Sequence, residues 1–231
     1  MRFQLDYTKF FDLQEANSGT YAWTKQDFLH NFSQFLIEHD IMEDTAIAIA
    51  SAVFERMADR RLHYHTPVHV LSMFQFAERE FPNEKLMDWE ELAIWFHDSV
   101  YIPQLPGASE ELSIMFMRAM VGPAFSESLL AAASYAIETT SQHLEKVTNN
   151  LYDTIMDLDL AHFSLPDLTA HNDAIRREFG YVDEAEYNKG RKSFLEKLLS
   201  RGFVFRSQAF KDRYEAFAVK NILKEIRQDG N

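Results

Sequence analysis

The chain has 231 residues, 46% hydrophobic and 26% charged, ordinary values for a globular protein long enough to bury a sizeable core. Its net charge of −13 argues against a broad binding surface for a nucleic acid polymer, because a polyanion would be repelled unless a basic patch or bound cation intervened. Cysteine is absent, which excludes disulfides and thiolate metal sites and leaves any metal to His, Asp, Glu, backbone or water.

Glycine (7) and proline (6) are scarce, which favours helices over a many-turned β fold. The N-terminal stretch carries acidic residues early and has no apolar h-region, so no signal peptide is expected. No apolar run reaches the roughly 18 residues a membrane span needs, and a cytoplasmic protein is the expectation. Phe10, Phe11, Tyr21 and Trp23 make this region aromatic, suited to a core or to a dimer patch; the sequence does not give the oligomeric state. The stretch Thr24-Lys-Gln-Asp27 reads as a helix start, with Phe28, Phe32, Phe35 and Leu36 on one face to about Glu38. A second helix is expected from Glu43 to about Arg60. A third opens at Pro67, a residue suited to the first helical turn, with Val70, Met73, Phe74 and Ala77 as its stripe. Trp89 to Asp98 reads as a fourth, followed by a loop through Gly107. Further helices are expected at about 109–120, 125–138, 150–160, 166–179, 184–200 and 209–227. With no repeat and no linker, the pattern predicts one all-α domain over residues 1–231, of about ten helices.

The segment LAIWFHDSVY, residues 92–101, sets His97 and Asp98 inside an apolar run. Two titratable side chains there need partners, since unpaired burial costs several kcal/mol. A helix end with both groups facing water would explain the pair by itself. The surrounding motifs point further. His63, His65 and His69 precede the pair, and Asp157 and Asp159 alternate with apolar residues beyond it. Imidazoles and carboxylates at separate helix ends can converge on one divalent cation in a bundle, such as Mn, Mg, Co, Ni, Fe or Zn.

The order His69 … His97-Asp98 … Asp159 resembles the signature of the HD superfamily of metal-dependent phosphohydrolases. More narrowly the chain is similar to its bacterial group of predicted phosphohydrolases of about this size. The matching stretches are Tyr64-His-Thr-Pro-Val-His69, Ala93-Ile-Trp-Phe-His-Asp-Ser-Val-Tyr101, Glu110-Glu-Leu-Ser113, Ile137-Glu-Thr-Thr-Ser-Gln-His143, Met156-Asp-Leu-Asp-Leu160, Ile175-Arg-Arg-Glu-Phe179 and Gly190-Arg191. The family pattern differs at three places: Ser109 stands where Asn is common, Ala161-His-Phe-Ser164 where Ile-Leu-Gly is common, and Leu62 where Arg is common.

The resemblance implies an HD-like helical bundle, with its motif-bearing core at about 55–180 and the helices of 184–227 packed on it. It implies His69, His97, Asp98 and Asp159 as ligands of one or two divalent metals per chain. Asp157 is then exposed or supports the ligands. The implied reaction is hydrolysis of a phosphate ester or anhydride in a small phosphorylated substrate, a nucleotide among the candidates. Arg61 and His65 lie near His69 in sequence and suit charge stabilisation and proton donation; Glu110 suits orientation of the attacking water. His143 has three readings: ligand of a second metal, general acid, or a helix-end histidine on the C-terminal dipole. His63 is expected at the surface, and His162 and His171 as structural or exposed. Arg176 and Arg191 match family positions and suit salt bridges to Glu178 or neighbouring carboxylates, or phosphate contacts. Two other readings of the chain are a non-catalytic helical regulator that keeps the metal site, and a di-iron oxygenase on the same fold.

Overall fold

The computed structural model describes residues 3–9, 12–80, 82, 85–105, 107–145 and 150–228. It is all-α: ten α-helices and no strand occur among the described residues. None of these helices is long and apolar enough to cross a membrane. The chain divides into two compact units, Met1–Glu138 and Thr139–Asn231.

The first unit carries α1 (Ser18–Glu38), α2 (Glu43–Met57), α3 (Pro67–Glu80), α4 (Asp88–Phe96), α5 (Ser109–Val121) and most of α6 (Glu127–Thr140). Its core is aromatic, and Phe28, Phe32, Phe54, Phe74, Trp95 and Phe96 are fully buried. The Trp95 ring stacks on Phe32 at 4.6 Å and meets Phe74 at 4.4 Å and Phe28 at 5.1 Å, so α1, α3 and α4 close on one indole.

Several helix ends differ from the sequence expectation. The first helix starts at Ser18, because the Asn17 side chain caps the N–H of Thr20. Thr24 lies inside the helix and donates its hydroxyl back to the Thr20 carbonyl. Asp27 is no helix-start residue either; it accepts from the Gln4 N–H and the Tyr7 hydroxyl and ties the N-terminal segment to α1. Tyr21 meets Phe54 edge-on, whereas Trp23 is exposed; Phe10 and Phe11 lie outside the described residues. The second helix stops at Met57, where Asp59 captures the Arg61 backbone N–H in a turn.

The second unit carries α7 (Asp153–Asp159), α8 (Thr169–Glu178), α9 (Glu184–Ser200) and α10 (Gln208–Gln228), with short 3-10 turns at Asn150–Tyr152 and Ala161–Ser164. Phe163, Phe205, Phe210, Leu195, Leu198 and Ile222 are buried together with these helices. α8 begins three residues later than the pattern suggests, because Asp167 accepts both the N–H and the hydroxyl of Thr169. After α9 the chain turns at Gly202, whose φ of 89° favours glycine.

Candidate metal centre

α4 ends at Phe96, so His97 caps the helix and Asp98 begins the turn beyond it. The local sequence explains the placement: the apolar face ending in Trp95 and Phe96 anchors the helix, and the two polar residues emerge where its hydrogen-bond ladder stops. His97 is almost wholly buried. Its Nδ1 lies 3.0 Å from the Ile94 carbonyl, which places the Nδ1 proton there and turns Nε2 the other way. That Nε2 lies 3.0 Å from Asp98 Oδ2.

His69 reaches the same carboxylate from the first turn of α3. Its Nε2 is 3.7 Å from Asp98 Oδ2, and its ring packs 5.2 Å from His97 and 5.1 Å from Tyr64. His69 and His97 each present a ring nitrogen within 4.8 Å of the other. Two imidazole nitrogens thus converge on one carboxylate oxygen in a buried setting. Burial opposes ionisation of Asp98, but the imidazoles of His97, His65 and His69 outweigh it and hold the carboxyl below its usual range.

This donor set fits a divalent cation. The His97 nitrogen and the Asp98 oxygen, 3.0 Å apart, match neighbouring ligands around an ion with bonds of about 2.1 Å, and the His69 nitrogen lies 3.7 Å from the same oxygen. The set has no thiol, as the composition requires. These three groups of the first unit could hold a metal ion.

The loop after Asp98 is pinned by α5. Ser113 Oγ accepts the Val100 N–H at 3.1 Å, and Ser109 Oγ accepts the Ile102 N–H at 3.1 Å. The Ser-Glu-x-x-Ser stretch therefore acts through its two serines as a backbone clamp. Glu110, between them, is half-buried, and its carboxylate has no hydrogen-bond or ion-pair partner among the described residues.

His65 stacks on Tyr101 with ring centroids 3.6 Å apart and lies edge-on to His69 at 6.1 Å, so it belongs to the same group of rings. Arg61 is highly exposed and gives Nε and Nη2 to the two oxygens of Asp59, at 2.9 and 2.7 Å. His63 is not a free surface group. Its Nδ1 lies 2.9 Å from Asp12 Oδ2, which fastens the segment before α1 to the motif region.

The second unit holds the remaining expected residues. Asp159 ends α7, and its Oδ2 lies 2.7 Å from His143 Nε2. His143 is therefore fixed by a carboxylate rather than turned to water. The turn that carries it is held by two arginines absent from the sequence reading. Arg201 donates to the carbonyls of His143, Phe203 and Val204, and Arg206 to those of Gln142 and Glu145. Asp157 is fully buried, and burial pushes its carboxyl up to about 6. Its two oxygens accept the N–H groups of Arg206 and Ser207, so it caps the entry to α10. His162 and His171 are buried and stacked on each other at 5.1 Å, a structural pair. Arg176 donates to the carbonyls of Phe179 and Val182, and Arg191 pairs with Glu225 at 2.8 Å.

No family model, no curated protein and no solved structure matches the chain.

Proposed function

We propose that the protein is a cytoplasmic metal-dependent phosphohydrolase that cleaves a phosphate ester or anhydride of a small phosphorylated metabolite, a nucleotide among the candidates. The observation that carries this reading is the shared oxygen of Asp98, faced by Nε2 of both His69 and His97. The order of the sequence motif adds Asp159 as the fourth ligand. A divalent cation held by these residues would lower the pKa of a coordinated water and polarise a phosphoryl oxygen.

The chain's own residues supply the rest. His97 is fixed in the required tautomer by the Ile94 carbonyl. The two serine clamps hold the loop after Asp98, so the carboxylate keeps its aim. Glu110 has an uncommitted carboxylate on the first turn of α5 and takes the water-orienting role. His65, held flat against Tyr101, delivers a proton to the leaving oxygen. His143 positions Asp159 through their 2.7 Å hydrogen bond.

The test is phosphate release from a panel of nucleotides and other phosphate esters with Mn, Co, Ni and Mg, run beside His97→Ala and Asp98→Ala. Release in the wild type that both substitutions abolish supports the reading. Bound metal with no release from any compound favours the regulatory reading instead.

A further inference from the structure

A pocket of about 480 Å³ opens between the end of α2 and the loop that follows Asp98. Its lining includes Ser99, the residue after Asp98, and Tyr101, which stacks on His65, itself edge-on to His69. Four charged side chains line the pocket: Glu55, Arg56, Asp59 and Arg61. Three of them are committed. Glu55 takes Lys25 at 2.6 Å, and Asp59 and Arg61 bind each other through two N–H contacts.

Arg56 differs. It has no carboxylate partner among the described residues, and its guanidinium lies over the Phe116 ring at 4.7 Å. Stacking of that kind holds the planar group in place while its in-plane N–H donors stay available. A second group points the same way. Ser99, also in the lining, is 1% exposed, and its hydroxyl has no hydrogen-bond partner among the described residues. In a chain of net charge −13, a stacked guanidinium with no carboxylate partner among the described residues and an unsatisfied hydroxyl, both lining one pocket, make a site for an oxyanion.

We propose that this pocket receives a second phosphate of the substrate, apart from the one attacked, with Arg56 supplying the charged contact and Ser99 a hydrogen bond. The substrate class is then an organic phosphate carrying at least two phosphate groups; this choice rests on the phosphohydrolase reading. Arg61, the arginine nearest the histidine motif in sequence, is bound to Asp59 and does not take this role.

The experiment is calorimetric titration of the full chain, stripped of metal by chelator, with inorganic pyrophosphate. Arg56→Ala weakens binding about tenfold or more, and Arg56→Lys restores part of it. Ser99→Ala weakens it to a smaller extent. Arg56 is exposed, so its replacement leaves the fold intact, which circular dichroism verifies. Metal uptake is measured in parallel and is equal in wild type and Arg56→Ala. No metal uptake with Arg56-dependent pyrophosphate binding defeats the hydrolase reading and leaves the pocket standing. No binding in the wild type, equal affinity in Arg56→Ala, or a loss that follows Arg61→Ala instead overturns the pocket.

Discussion

The shared Asp98 oxygen makes the site sensitive to single atoms. Asp98→Asn keeps the shape and removes the charge that two imidazoles face, and metal affinity is expected to fall more than about tenfold, read by equilibrium dialysis. Ser113→Ala tests the clamp. It leaves the buried Val100 N–H without its acceptor, at a cost of about 1–3 kcal/mol in urea unfolding. At this scale the sequence was informative where chemistry is local. His97 and Asp98 were legible as a pair in need of partners because adjacent titratable groups in an apolar run demand them, and His69 was singled out by the histidine cluster and the order of the motif. The clamp by Ser109 and Ser113 was visible as a motif but not as a mechanism, since which backbone N–H a serine meets depends on tertiary packing. Arg201 and Arg206 gave no signal, because an arginine that binds carbonyls looks in sequence like any surface cation.

At the scale of elements, α4 delivers the site and Trp95 anchors α4. Trp95→Ala is expected to destabilise the chain by about 3–5 kcal/mol. Trp95→Phe removes a buried indole N–H that has no partner among the described residues and costs less than Trp95→Ala, as thermal or urea melts would show. The first turn of α4 predicts a pH dependence. Burial raises the Glu90 carboxyl above its ordinary 4.5, with Glu91 adding to the effect. The folded chain therefore keeps this proton longer than the unfolded one. The stability it contributes is complete below the unfolded value and is lost as pH rises through the folded value. Glu90→Gln retains an oxygen for the Met87 N–H and does not ionise. The stability of this variant relative to wild type should grow between pH 4 and pH 7 in urea melts, and an unchanged difference would remove the burial argument. The helices themselves were legible from apolar spacing, whereas their ends were not. Asn17, Asp59 and Asp167 move three of those ends through single side-chain hydrogen bonds that no periodicity records.

For the whole molecule, composition foresaw an all-α fold through scarce glycine and proline and abundant apolar spacing, and the ten α-helices among the described residues agree. The absence of cysteine also restricts any metal donors to imidazole, carboxylate, backbone or water, and imidazoles and a carboxylate are what gather at Asp98. The net charge of −13 means that an anionic substrate of the proposed kind would have to be drawn in locally, by a bound cation and by guanidinium groups such as Arg56 with no carboxylate partner among the described residues. The most direct measurement is the metal content of protein purified without chelator and then loaded with Mn, Co, Ni or Mg, compared with Asp98→Ala. One or two ions per chain, lost on the substitution, is the predicted result. A wild-type chain that takes up no metal under any loading would contradict the account and leave His97 and Asp98 as the polar end of a core helix.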